Sequence, residues 1–192
     1  MVTETKFVTR EEYLMAAVER LRPTFESAGY QIPKYKVSCG FGSRNAKRTL
    51  GECWWSTATD DKVRQMFISP AITTAQEVVG VLAHELLHAV LPDGAKHGPL
   101  FKKGMKKVGL DGKAIYAKPG KTLYDKITAI VTELGVYPNS PIKMVAGPTR
   151  KNRKFIVKLA CPAHDTFEVK IHVSNLAVGN PKCWCGREME YA

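Results

Sequence analysis

The chain has 192 residues and a formal net charge of +11, enough for one domain with a substantial core or a main domain with a small appendage. No apolar run approaches the roughly 18 residues of a membrane-spanning helix, and the acidic opening MVTETKFVTREEY lacks the basic and apolar regions of a signal peptide. These features exclude membrane proteins and point to a soluble, cytoplasmic chain, where five cysteines, an odd number, are free or metal-bound rather than paired.

In chain order, Thr9-x-x-Glu12 is a capping box, and Tyr13, Leu14, Ala17, Val18, Leu21 and Phe25 follow at helical spacing. They predict an amphipathic helix over residues 9–29. Residues 35–39 and 63–68 are short and rich in β-formers, so both are expected as strands of a small antiparallel sheet, joined by a Gly-rich, basic loop. A second capping box, Thr74-x-x-Glu77, opens a helix that is apolar on nearly every side and is stopped near Leu91 by Pro92 and Gly94. Further helices are expected at 99–108, with Phe101, Met105 and Val108 inward, and at 122–134.

Residues 138–153 turn Pro-, Gly- and Lys-rich and read as a basic linker, with AGPTRKNRK (146–154) its most basic stretch. The expected organisation is a main domain over 1–137, the linker, and a small module over 154–192. Residues 94–158 hold 15 Lys and Arg against three acids, a concentration of positive charge that attracts nucleic-acid phosphate.

The chemistry centres on His84-Glu85-Leu86-Leu87-His88. Residues four apart share a helix face, so both imidazoles reach one ion, and Glu85, one position along, can take a proton from a water on the open side. A catalytic zinc site needs a third protein ligand and one open position. His97 follows a Pro92 to Gly94 turn that can bring the chain back beside the helix; Asp111 and Asp125 are the acidic alternatives. A competing reading makes His84 and Glu85 a buried hydrogen-bonded pair, at a cost in an otherwise apolar helix.

Near the C-terminus, Cys161-Pro-Ala-His164 and Cys183-Trp-Cys185-Gly supply two ligand pairs on two turns, with a strand expected at 166–173. A Cys3His set of this kind resembles a zinc ribbon, whose structural metal replaces a core that some forty residues cannot build. His172 is the alternative to His164. Cys39 and Cys53 read as buried thiols, and Trp54, Trp55 and Trp184 as core aromatics rather than base-stacking platforms. Gly120-Lys121-Thr122 echoes a phosphate loop, but Ile115 stands where its first glycine is needed.

Taken with His97-Gly-Pro-Leu-Phe101, Gly51-Glu-Cys-Trp54 and Ile68-Ser-Pro70, the HELLH motif and Cys-rich tail resemble the SprT-like family, which includes the Spartan-type proteases. The chain is especially similar to short SprT-like proteins of actinobacterial phages. The resemblance implies an α+β, zincin-like metallopeptidase core with three histidine ligands and Glu85 as catalytic base. It also implies a protein substrate, often bound or crosslinked to DNA. Two Zn2+ ions are expected, one catalytic and one structural. The rivals are a non-catalytic nucleic-acid-binding protein that keeps zinc for structure, and a hydrolase of non-peptide amides.

Overall fold

The computed structural model describes residues 6–43, 49–142 and 155–192, the side chain of Asp165 excepted. The stretch 146–154 and most of the expected linker fall outside them. The architecture is mixed α+β, and the chain divides into two compact units, Met1–Met144 and Val145–Ala192.

The first unit opens with α1 (Arg10–Ser27). Its capping box is complete: Thr9 accepts from the Glu12 backbone N–H, and the Glu12 side chain reaches back to the N-cap. The six apolar residues spaced for one face are all fully buried. The strands β1 (Tyr35–Cys39), β2 (Gly51–Trp54) and β3 (Arg64–Ile68) form a sheet in the order β1-β3-β2. Two expectations are corrected here. The β1–β3 pair is parallel, so the sheet is mixed rather than antiparallel, and the segment between them contains a strand, β2, that pairs antiparallel with β3. A parallel pair needs a long connection, and β2 occupies it.

Helix α2 (Ala75–Val90) packs on β2, β3, α1 and α4. Thr74 caps it by accepting from the Glu77 N–H. Ten of its sixteen residues are buried, as an all-round apolar helix requires. Helix α3 (Pro99–Val108) starts with proline, whose missing N–H costs nothing in a first turn, and ends at Gly109 with φ 87°. A two-strand ribbon of β4 (Leu110–Asp111) and β5 (Lys118–Pro119) leads into α4 (Lys121–Leu134). Beyond α4, Asn139 donates to the Ile72 carbonyl (2.7 Å) and the Ile142 N–H to the Pro70 carbonyl (3.1 Å), so the chain stays attached to this unit through residue 142.

The second unit is a three-stranded antiparallel sheet of β6 (Ile156–Cys161), β7 (His164–His172) and β8 (Glu190–Tyr191), ordered β7-β6-β8. Its described core is four residues: Leu159, Cys161, Cys183 and Met189. The expectation that Trp54 and Trp184 are core aromatics is corrected: both are exposed, Trp184 at 71%. Cys39 and Cys53 are half-buried rather than fully enclosed. No helix among the described residues is long and apolar enough to cross a membrane.

Candidate metal centres

His84 and His88 lie one turn apart on α2, and the chain must reverse sharply for His97 to join them. The reversal is built by the Ala95 N–H donating to Pro92 and the Gly98 N–H to Ala95, with Gly94 and Lys96 in the left-handed region at φ 83° and 43°. For a lysine that backbone is uncommon and has to be held by its surroundings. Arg64 from β3 provides the hold: it donates to the Leu91 carbonyl (3.0 Å) and pairs with Asp93 (2.8 Å), which also accepts from Ser56 and Thr57. Burial alone would push the Asp93 carboxyl up, but Arg64 and the two hydroxyls outweigh it and leave it below its ordinary value.

The result is a tight cluster. His97 Nε2 lies 3.2 Å from His84 Nε2 and 3.1 Å from His88 Nε2. Tetrahedral ligands at 2.0–2.1 Å from a zinc ion stand about 3.3 Å apart, so the spacing fits one ion. Burial pushes the His84 and His88 imidazoles down to about 4 and about 3, and His97 is lowered for the same reason. All three are thus neutral near pH 7 and offer lone pairs. His84 Nδ1 sits 3.3 Å from the Ala117 carbonyl, which can only accept; that bond puts the proton on Nδ1 and frees Nε2. Phe101 of α3 supports all three rings, with centroids 5.0, 4.4 and 4.9 Å from His84, His88 and His97.

Glu85 is 6% exposed. Desolvation, with a smaller contribution from the negative charge of Glu52, pushes its carboxyl up to about 8. An anionic Glu85 therefore calls for a cation nearby, which the donor set of the three histidines is suited to hold. The backbone of β2 passes directly over it: a Cβ on Gly51 would lie 2.6 Å from Glu85 Oε1 and 2.7 Å from both Glu85 Cγ and Val81 Cγ1. Glycine is required there by close approach.

Asp111 and Asp125 do not join the cluster. Asp125 pairs with Lys121 (3.0 Å), and the Asp111 carboxylate lies against Gly120. Sequence reasoning placed Phe101 inward but missed its contact with the imidazoles. It quoted Gly51 within Gly51-Glu-Cys-Trp54 but not its close approach to Glu85, and it missed the Ala117 carbonyl and the Arg64–Asp93 pair, neither of which has a local motif to betray it.

In the second unit, ligand atoms of Cys161, His164, Cys183 and Cys185 all lie within 4.8 Å of one another. Cys161 and Cys185 Sγ are 3.7 Å apart, and His164 Nδ1 is 3.3 and 3.4 Å from the Cys161 and Cys183 sulfurs. Zinc–sulfur bonds near 2.3 Å place tetrahedral sulfurs about 3.8 Å apart and a sulfur and nitrogen about 3.5 Å apart, so this set also fits one ion. The Cys183–Gly186 turn is closed by the Gly186 N–H donating to the Cys183 carbonyl (2.8 Å), with Gly186 at φ 82°. The exposed Trp184 ring lies over His164 at 4.5 Å. His172 bonds Ser174 instead and is not part of the set.

An α+β unit carrying three converging histidines, followed by a small sheet carrying a Cys3His set, defines a class of protein with two potential metal sites. The chain belongs to the SprT-like family: the family model matches residues 17–118, just over half of the 192 residues, from within α1 through the three histidines to Lys118. That membership brings with it a possible zinc metallopeptidase. No curated protein and no solved structure matched the chain.

Proposed function

We propose that the chain is a zinc-dependent endopeptidase with a zincin-like core over residues 1–137 and a zinc-ribbon module over 154–192. The supporting observation is the convergence of three imidazoles, with His97 Nε2 3.1–3.2 Å from the Nε2 atoms of His84 and His88, on a helix that also carries the buried carboxyl of Glu85. His84, His88 and His97 would hold the catalytic ion, and Cys161, His164, Cys183 and Cys185 a structural one. When bound, the catalytic zinc would supply Lewis acidity, lowering the pKa of water and polarising the peptide carbonyl.

The remaining steps belong to the chain. Glu85 accepts the proton of the attacking water and delivers it to the departing amide nitrogen, the same carboxylate acting first as base and then as acid. The Ala117 carbonyl and Phe101 keep the imidazoles aligned, and β2 shields Glu85 so that the proton is not exchanged with bulk water. The excess of Lys and Arg over residues 94–158 would bring the enzyme to DNA and so to DNA-bound or DNA-crosslinked proteins.

The test combines elemental analysis with cleavage of a DNA-binding protein, with and without DNA. Wild type is expected to carry about two zinc ions per chain, His97→Ala one fewer, and Glu85→Gln the full metal content without cleavage. Cleavage that persists in Glu85→Gln sinks the proposal in favour of a site that holds zinc only for structure. An affinity for DNA that does not fall as salt rises removes the phosphate-contact part alone.

A further inference from the structure

Helix α3 turns Phe101 and Met105 inward and leaves Lys102 and Lys106 exposed on its flank. With the turn at residues 112–115 it encloses an open cleft of about 580 Å³ that reaches His97. Met105 and Ile115 contribute apolar surface, and Lys102, Lys106 and Lys113 bring three positive charges. That volume lies within the roughly 300–1,000 Å³ of ordinary ligand sites. None of the three lysines forms an ion pair among the described residues. The carboxylate of Asp111, the acid nearest in sequence to the turn, lies against Gly120.

Three exposed lysines that line one cleft and form no ion pair among the described residues give it a positive potential, which favours entry of an anion. The apolar surface of Met105 and Ile115 adds a second requirement, for methylene groups behind the charge. A nucleic-acid backbone meets the first requirement on any open basic surface but does not need a concave apolar wall.

We infer that this cleft takes an aspartate or glutamate side chain of a peptide laid across the histidine cluster. On the peptidase reading, on which this placement rests, that residue lies within a position or two of the scissile bond. Lys102, Lys106 and Lys113 are then specificity-determining residues, and the enzyme selects acidic sequences.

Binding is measured on the zinc-loaded full chain carrying Glu85→Gln, with fluorescein-labelled peptides that differ only in one Glu, Gln or Lys. The Glu peptide is expected to bind ~10-fold tighter than the Gln peptide, about 1.4 kcal/mol. Charge reversal by Lys102→Glu, Lys106→Glu and Lys113→Glu should place the Lys peptide first. Equal affinities, or an unchanged order after reversal, overturn the inference. So does reversal that abolishes oligonucleotide binding while the peptide order stays as it was, which would assign the cleft to nucleic acid. Digestion of an unfolded protein by the wild-type chain, with cut sites read by mass spectrometry, separates the two readings. Cuts without acidic enrichment overturn the inference and leave the peptidase standing. Absence of cleavage above the Glu85→Gln control removes the peptidase, and the peptide affinities alone then decide whether the cleft takes acidic side chains.

Discussion

The three-histidine cluster and the Cys3His cluster are similar as sets of ligands but stand on different foundations. In the first unit, 28 described residues form a continuous apolar core, and the histidines are mounted on its central helix. In the second, the described core is four residues, two of which, Cys161 and Cys183, belong to the cluster itself. Burial of a Leu or Phe side chain contributes about 1.5–3 kcal/mol, so α2 holds its shape by packing and presents ligands already in place. The small sheet has no such reserve. An ion there would be an element of the fold, whereas an ion at His84, His88 and His97 would be a guest.

The largest expected effect follows from that contrast. Chelation, or Cys183→Ser, should collapse residues 155–192, since structural zinc contributes on the order of 10 kcal/mol in small modules. Residues 6–142 should keep their amide protection in hydrogen exchange. Protection retained in both regions would erase the distinction. Next in size, Leu82→Ala should destabilise the first unit by about 2–5 kcal/mol, while His97→Ala in the metal-free protein should change its unfolding free energy, read from a denaturant titration, by less than about 1 kcal/mol. A large loss from His97→Ala would mean that this cluster, too, is part of its scaffold.

Gly51→Ala should cost about 1–3 kcal/mol through overpacking against Glu85 and Val81, and should lower cleavage while zinc content holds. A comparable effect, spread over a range of pH, is expected from the histidines themselves. In metal-free Glu85→Gln protein, His84 and His88 stay neutral down to about 4 and about 3, whereas unfolded histidines protonate near 6.5. The unfolded chain then binds more protons as pH falls through about 6.5, so stability declines on acidification. The loss is on the order of 1 kcal/mol per histidine between about pH 7 and 5.5. The Gln variant is used because Glu85, with its raised pKa, contributes with the opposite sign.

What could be read from the sequence was what is local. The capping box of α1, the apolar face of that helix and the spacing of His84 and His88 are short-range patterns, and the structure carries all of them. The turn that returns His97 was legible from Pro92 and Gly94, but the Arg64–Asp93 pair that secures it was not, because its partners are 29 residues apart. Strand pairing failed for the same reason: Gly51-Glu-Cys-Trp54 is too short and too mixed to declare itself, and nothing in β1 announces a parallel neighbour. Backbone groups such as the Ala117 carbonyl carry no sequence signal at all. The exposed tryptophans were misread because composition favours burial and cannot register how little core the second unit has for Trp184 to enter.

The mixed sheet also sets an order of events during folding. Strands β2 and β3 pair as near neighbours in sequence, with Trp54 opposite Gln65, whereas β1 reaches β3 only across a register of 29 residues, Tyr35 to Arg64. Loop-closure entropy favours the shorter connection, so the β2–β3 pair is expected to assemble first and β1 to dock late. On that expectation the strand that covers Glu85 forms before the sheet is complete, and substitutions in β2 should slow refolding while equivalent ones in β1 mainly speed unfolding, as stopped-flow refolding and unfolding rates would show.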